Sequence, residues 1–181
     1  MKLETERLIL VQADEQAMEA ELISTSQLGL TLKLAVAADW PPLHWGAGPI
    51  EWILGMMRAM PEQGDARPWY ITLRQQGLII GTVGFKGPPD PEGTLEIGYS
   101  IVSSQHRRGY ATEAVGAMRA HIASRPDVSR LVAHTLSGDP ASGGVLRKNG
   151  LVLVGTREDP EDGTLDRYEL VFDRRGDPRG D

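Results

Sequence analysis

The stretch "SSQHRRGYATEAVGAM", residues 103–118, decides how the rest of the chain is read. Two arginines run into a glycine and a tyrosine, and helical spacing begins there. Upstream, "TLEIGYSIV" (94–102) reads as a strand; downstream, a helix is expected over about 109–124, ended by Pro126. Ala114, Val115, Met118 and Ile122 would form its inward face. A helix start leaves up to four backbone N–H groups without a helical partner, and the summed peptide dipoles add about half a positive charge there. Gly109 tolerates positive φ and lets a ligand come close to the backbone, while Arg107 and Arg108 can add charge-assisted hydrogen bonds. These residues suit a pyrophosphate. A solvated turn opening an ordinary amphipathic helix fits the same spacing, so the stretch alone leaves both readings open.

Working outward, "RLILVQA" reads as a first strand, and Asp14 caps a helix through about Ser24 with Ala17, Leu22 and Ile23 partly on one face. Proline and glycine end regular structure near Trp40. "PIEWILGMMRAM" resumes helical spacing with Pro49 in its first turn and a stripe of Ile53, Met56, Met57 and Met60; Trp52 is assigned to the core. "WYITLRQQ" and "LIIGTVGFKG" form a hairpin around Gln75–Gly77. "RLVAHTL" (130–136) is a strand, "PASGGVLRKNG" a short helix closed by Gly150, and "LVLVGT" and "DRYELVF" two final strands joined by an acidic turn. The element order is β, α, α, β, β, β, α, β, α, β, β. Strand–helix–strand over 95–136 implies a parallel pair inside an otherwise antiparallel arrangement. Residues 1–172 read as a single domain and 173–181, "DRRGDPRGD", as a disordered tail.

Composition narrows the function. The 181 residues suffice for a domain with a real core, and 40% are apolar. With no cysteine, a disulfide framework and a thiolate nucleophile or ligand are excluded. The four histidines show no metal-ligand spacing, so no metal is expected. A net charge of −6 argues against a nucleic-acid partner and fits a cationic one. "MKLETERLIL" places charges where a signal peptide needs an apolar run, and no apolar stretch approaches the ~20 residues of a membrane span, so a cytoplasmic protein with no membrane partner is expected. Other phosphate and nucleophile motifs fail: there is no G-x-x-x-x-G-K-[ST], "GAGPIE" lacks the last glycine of a dinucleotide fingerprint, and Pro140 stands where a nucleophile elbow needs glycine.

His106, Arg107, Arg108, Gly109, Tyr110 and Ala111 resemble the Gln/Arg-x-x-Gly-x-Gly/Ala signature of the GNAT superfamily of N-acetyltransferases, with histidine in the first position. The resemblance continues through "RLVAHTLSGDPASGGVLRKNGL" and covers nearly all of residues 70–172. "EIGYSIV" and "DPAS…LRKNGL" are similar to the branch that acetylates ribosomal-protein N-termini on serine or alanine. The resemblance implies an α/β (α+β) GNAT fold: a mixed sheet of about seven strands, splayed between strands 4 and 5, flanked by about four helices. It implies acetyl-CoA as co-substrate, its pyrophosphate on the amides of Arg107, Arg108, Gly109, Tyr110, Ala111 and Thr112. Ile101 and Val102 would offer backbone groups to the pantetheine arm, the thioester carbonyl accepting a hydrogen bond near Val102. Asp139 stands where the family has asparagine beside that arm. Family members are often dimers, which leaves a homodimer open.

The same resemblance gives Glu96 as the base that takes the amine proton, against an exposed strand carboxylate. The family's usual tyrosine acid corresponds to Leu146; Ser142 is the implied replacement, against a serine that merely opens a helix. Trp40 and Trp45 fall in the segment that walls the acceptor cleft, where aromatic rings can stack on a cation or line a pocket. The acidic turn, Glu158 to Asp166, would attract cations by its field or be simply solvated. The acceptor is a primary amine, on a protein N-terminus or a small molecule, attacked directly in a ternary complex. The competing reading is a non-catalytic acyl-CoA-binding or regulatory module.

Overall fold

Trp69–Leu73 is buried at every position, as expected of a central strand covered on both faces. The computed structural model describes residues 1–61, 64 and 67–172. The chain runs β1 (Lys2–Glu4), β2 (Leu8–Gln12), α1 (Glu15–Ile23), α2 (Thr25–Leu32), β3 (Ala35–Val36), α3 (Ala47–Ala59), β4 (Trp69–Leu73), β5 (Leu78–Phe85), β6 (Thr94–Ile101), α4 (Tyr110–Ile122), β7 (Arg130–Leu136), α5 (Pro140–Lys148), β8 (Val152–Asp159) and β9 (Gly163–Val171). The sheet order is β1-β2-β4-β5-β6-β7-β9-β8, with β3 added to β5. Neighbouring strands on this path are antiparallel except β6 and β7.

The parallel pair is short. Thr94 to Glu96 align with Arg130 to Val132, and the register then stops although both strands continue. From Ile97 onward β6 has no β7 neighbour, so the sheet opens in the middle. Helices α4 and α5 cover one face, where Ala114, Val115, Met118, Ile122 and Leu146 join Trp69, Leu95 and Ile97 in one core. On the other face α1, α2 and α3 bury Met18, Leu28, Ile50, Leu54 and Met57 against Tyr70 and Ile79.

Nine strands and five helices are found among the described residues, against about seven and about four expected. The additions are the three-residue β1, the two-residue β3 and α2. Ser24 caps α2 by accepting from the Gln27 amide, but Gly29 and two threonines weaken the helical pattern of "TSQLGLTL". Helix α3 starts at Ala47, and its buried stripe is Ile50, Leu54 and Met57 rather than Ile53, Met56, Met57 and Met60. That rotation overturns the core assignment of Trp52. At about 100° per residue it lies on the far side from Ile50, and it is 56% exposed. In α1, Ala17 is buried as expected, but Leu22 and Ile23 are exposed and Met18 and Ala20 are buried in their place. The expected tail, 173–181, lies outside the described residues.

Candidate active site

Arg107 (φ 59°) and Gly109 (φ 80°) both take left-handed backbone, which turns the chain from the end of β6 into α4. Gly109 is the N-cap residue and brings no side-chain cap. Among the described residues, no amide from Arg107 to Thr112 donates to another protein group. Arg107 and Arg108 are exposed and make no ion pair with a described residue. Unpaired N–H groups at the start of a helix, with two exposed arginines beside them, fit a diphosphate.

The N-terminal segment braces this loop, a feature no sequence motif announced. Glu113, in the first turn of α4, accepts from Thr5 Oγ1 (2.6 Å), the Arg7 amide (2.8 Å) and Arg7 Nε (2.6 Å). Arg7 also donates from Nη1 to the Arg108 carbonyl at 2.9 Å, and its guanidinium lies 4.8 Å from the Tyr110 ring centre. Burial would raise the Glu113 pKa, but the bonds from Thr5 and Arg7 outweigh it and hold the carboxyl below its usual range.

The gap beside β6 follows from ladder alternation. Val102 N–H donates to Ile80 and Lys86 N–H to Glu96, so even-numbered residues of this strand bond to β5. The Ile97 N–H closes the last rung to Val132, and beyond it the Ile97 C=O and the N–H and C=O groups of Tyr99 and Ile101 point away from β5, toward the opening. This corrects the expectation at Val102. Its N–H, the group that could donate to a thioester carbonyl, is taken by the Ile80 carbonyl (2.9 Å), and its C=O accepts from Gln105 (3.0 Å). The Ile101 carbonyl is also used, by His106 Nε2 at 2.7 Å, which leaves that residue its N–H.

Glu96 is the last β6 residue in register with β7, and its side chain shares a sheet face with Ser100. His134 reaches across from β7, so that Oε1 of Glu96 meets His134 Nδ1 at 3.1 Å and Lys86 Nζ at 2.7 Å. Oε2 has no hydrogen-bond partner among the described residues. Burial favours the protonated acid, yet Lys86 and then His134 prevail and keep the carboxyl below its usual range. Glu96 is thus an ionised acceptor with one free oxygen. An ionised carboxylate requires the proton on His134 Nδ1; Nε2 of that ring, whose side chain is 5% exposed, has no partner among the described residues.

Asp139 and Ser142 stand together at the start of α5. Asp139 Oδ1 accepts from the amides of Ala141 (2.9 Å) and Ser142 (3.1 Å), which makes it the helix cap. Burial works against its charge, but Ser142 and Ala141 outweigh it and hold the carboxyl below its usual range. Tyr99 OH crosses from β6 to donate to the Ser142 carbonyl at 3.1 Å, and burial drives its pKa up. Leu146 is fully buried in the core.

On the opposite face, Trp40 and Trp45 both bond to Glu21, as does Tyr70. Sequence reasoning missed Glu21, Tyr70, Lys86 and His134 because their partners lie on other elements. In the acidic turn, Asp159 is tied to the amides of Glu161 and Asp162 and to Arg157, a local capping role. No group of metal-binding side chains occurs among the described residues, and no helix there is long and apolar enough to cross a membrane.

Residues 7–152 match the family model of the acetyltransferase (GNAT) domain. The uncharacterized N-acetyltransferase YjdG of Bacillus subtilis (strain 168) is 35% identical over 85 residues, 47% of this chain and about half (51%) of that protein. The uncharacterized N-acetyltransferase YoaA of the same organism is 28% identical over 84% of each chain. A ribosomal L7/L12 alpha-N-protein acetyltransferase, solved in complex with coenzyme A, superposes with a TM-score of 0.70 over 95% of this chain and 98% of its own, at 20% identity. At that identity the likeness establishes the fold.

Proposed function

Because this chain belongs to the acetyltransferase (GNAT) family, a family of N-acetyltransferases, we propose that it moves the acetyl group of acetyl-CoA to a primary amine, with an α-amine as the preferred acceptor. The observation that carries this reading is the opening between β6 and β7, which leads from the amides of Arg107 to Thr112 down to Glu96. When bound, acetyl-CoA supplies an activated thioester. Arg107, Arg108 and the amides through Thr112 hold its diphosphate, and the inward N–H and C=O of Tyr99 with the N–H of Ile101 pair with the amides of its arm.

Glu96 is the proposed proton acceptor. Its free Oε2 lies on the face that α1–α3 also cover, and its low pKa keeps it ionised at neutral pH. A carboxylate so stabilised is a weak base, which bears on the choice of amine. At pH 7, deprotonating a free lysine costs about 4.6 kcal/mol, against about 1.1 kcal/mol for an α-amine. The α-amine is the group this base can serve, directly or through a water. At the departing sulfur, Ser142 is the proposed hydroxyl donor. The Tyr99 phenol, bonded to the Ser142 carbonyl, is a second candidate on the same side.

A peptide with one free α-amine and one internal lysine tests the reading. Incubated with acetyl-CoA and analysed by mass spectrometry, it should carry acetyl on the α-amine. Acetyl on the lysine alone would overturn the acceptor assignment.

A further inference from the structure

Glu21 lies in α1 with both carboxylate oxygens engaged. Oε1 accepts the indole N–H of Trp40 at 2.8 Å and of Trp45 at 2.7 Å, and Oε2 accepts the Tyr70 hydroxyl at 2.6 Å. All three donors are neutral, and Glu21 makes no ion pair with a described residue. Burial pushes its pKa up, and the bonds from Tyr70, Trp45 and Trp40 oppose that. The rings enclose the charge: Trp40 and Tyr70 lie 6.2 Å apart, tilted by 47°. A desolvated negative charge among aromatic rings attracts a cation through both the carboxylate and the ring quadrupoles. Glu21, Trp40 and Trp45 all remain partly exposed.

The cluster sits beside the opening. Tyr70 pairs with Thr82, and Thr82 with Ser100, so the three side chains form one row on one sheet face. Two strand spacings, about 10 Å, separate Tyr70 from Ser100. The loop carrying Trp40 and Trp45 passes over the end of that row, its Leu43 carbonyl accepting from Ser100 Oγ at 2.8 Å. A cation at Glu21 would therefore lie some 10 Å from the strand that borders the reacting centre. It cannot be the reacting nitrogen, which must be neutral.

We propose that Glu21, framed by Trp40, Trp45 and Tyr70, binds a second cationic group of the acceptor, an aliphatic ammonium several bonds from the amine that is acetylated. The inference rests on the acetyl-transfer reading for the identity of the ligand, but the binding site is separately measurable. Two sources carry this chemistry, a free diamine and a basic side chain near a peptide N-terminus.

The four indole N–H resonances of ¹⁵N-labelled protein provide the readout. In the presence of CoA, a straight-chain aliphatic diamine should shift the Trp40 and Trp45 signals and leave those of exposed Trp52 and buried Trp69 in place. A monoamine of equal length should bind at least tenfold more weakly. A short peptide with lysine next to its N-terminal residue forms the second arm, against the same peptide with norleucine. Whichever arm shows the discrimination identifies the source. Glu21→Gln, which keeps an oxygen for the indoles, should abolish that discrimination. Equal binding of both members of each pair to the wild type, which needs no variant, overturns the proposal, as does unchanged discrimination in Glu21→Gln. A Glu21-dependent shift without acetyl transfer to any amine would leave this site standing and remove the catalytic reading.

Discussion

Gly109 holds φ at 80°, and a Cβ there would come within 3.3 Å of the Arg7 guanidinium. Gly109→Val should therefore raise the Kd for CoA at least tenfold in calorimetry while the protein stays folded, because strain and crowding fall on the loop that presents the amides. Glu96 makes a separate prediction. Glu96→Gln should lower kcat/KM about 10²- to 10⁴-fold with little change in CoA affinity. Its carboxyl is held below the usual range, so the folded state binds that proton less readily than the unfolded chain. The associated stability is present above the unfolded pKa and is lost as pH falls through the folded one. Urea midpoints of wild type and Glu96→Gln should thus converge as pH falls from about 6 toward about 3. A constant gap across that range would remove the assigned pKa shift. Ser142→Ala should reduce kcat more than KM; an unchanged kcat would transfer the acid role to Tyr99.

Helix α4 was legible because its information is local. Ala114, Val115, Met118 and Ile122 follow the helical period, and all four are buried as that period requires. Helix α3 was misread by a rotation, since its methionines extend the apolar run around both sides and blur the stripe. The partners of site residues were illegible for a different reason. Glu96 and His134 are 38 residues apart, and Glu21 and Tyr70 are 49 apart. Only the strand register and the packing of α1 on the sheet bring them together, and neither leaves a pattern in a single sequence. The brace from Arg7 to Glu113, more than 100 residues apart, is of the same kind. Glu113 receives three donors there, so Glu113→Ala removes the acceptor of the Arg7 amide and Nε and one partner of Thr5 Oγ1, while Arg7 Nη1 keeps the Arg108 carbonyl and Thr5 keeps Leu8. It should cost about 1–3 kcal/mol in chemical denaturation and weaken CoA binding several-fold. Stability loss with unchanged CoA affinity would make the brace purely structural.

For the molecule as a whole, the sheet does two jobs with one irregularity. Pairing of β6 with β7 through Glu96 and Val132 joins the halves, and its interruption there opens the cleft. The two cores on opposite faces keep the halves fixed, so the opening is built into the packing. The α4 start lies at one end of this gap, the Glu96 pair at its root, and the Glu21 cluster beside it on the face that α1–α3 cover. This arrangement makes the central claim one of group transfer through the sheet. The most direct test mixes the protein with acetyl-CoA and a panel of α-amino peptides and small amines, following free thiol release and acetylated product together. Thiol should be released in equal amount to N-acetyl product, with both reduced by Glu96→Gln. Tight CoA binding without transfer to any amine would contradict it and leave an acyl-CoA-binding module.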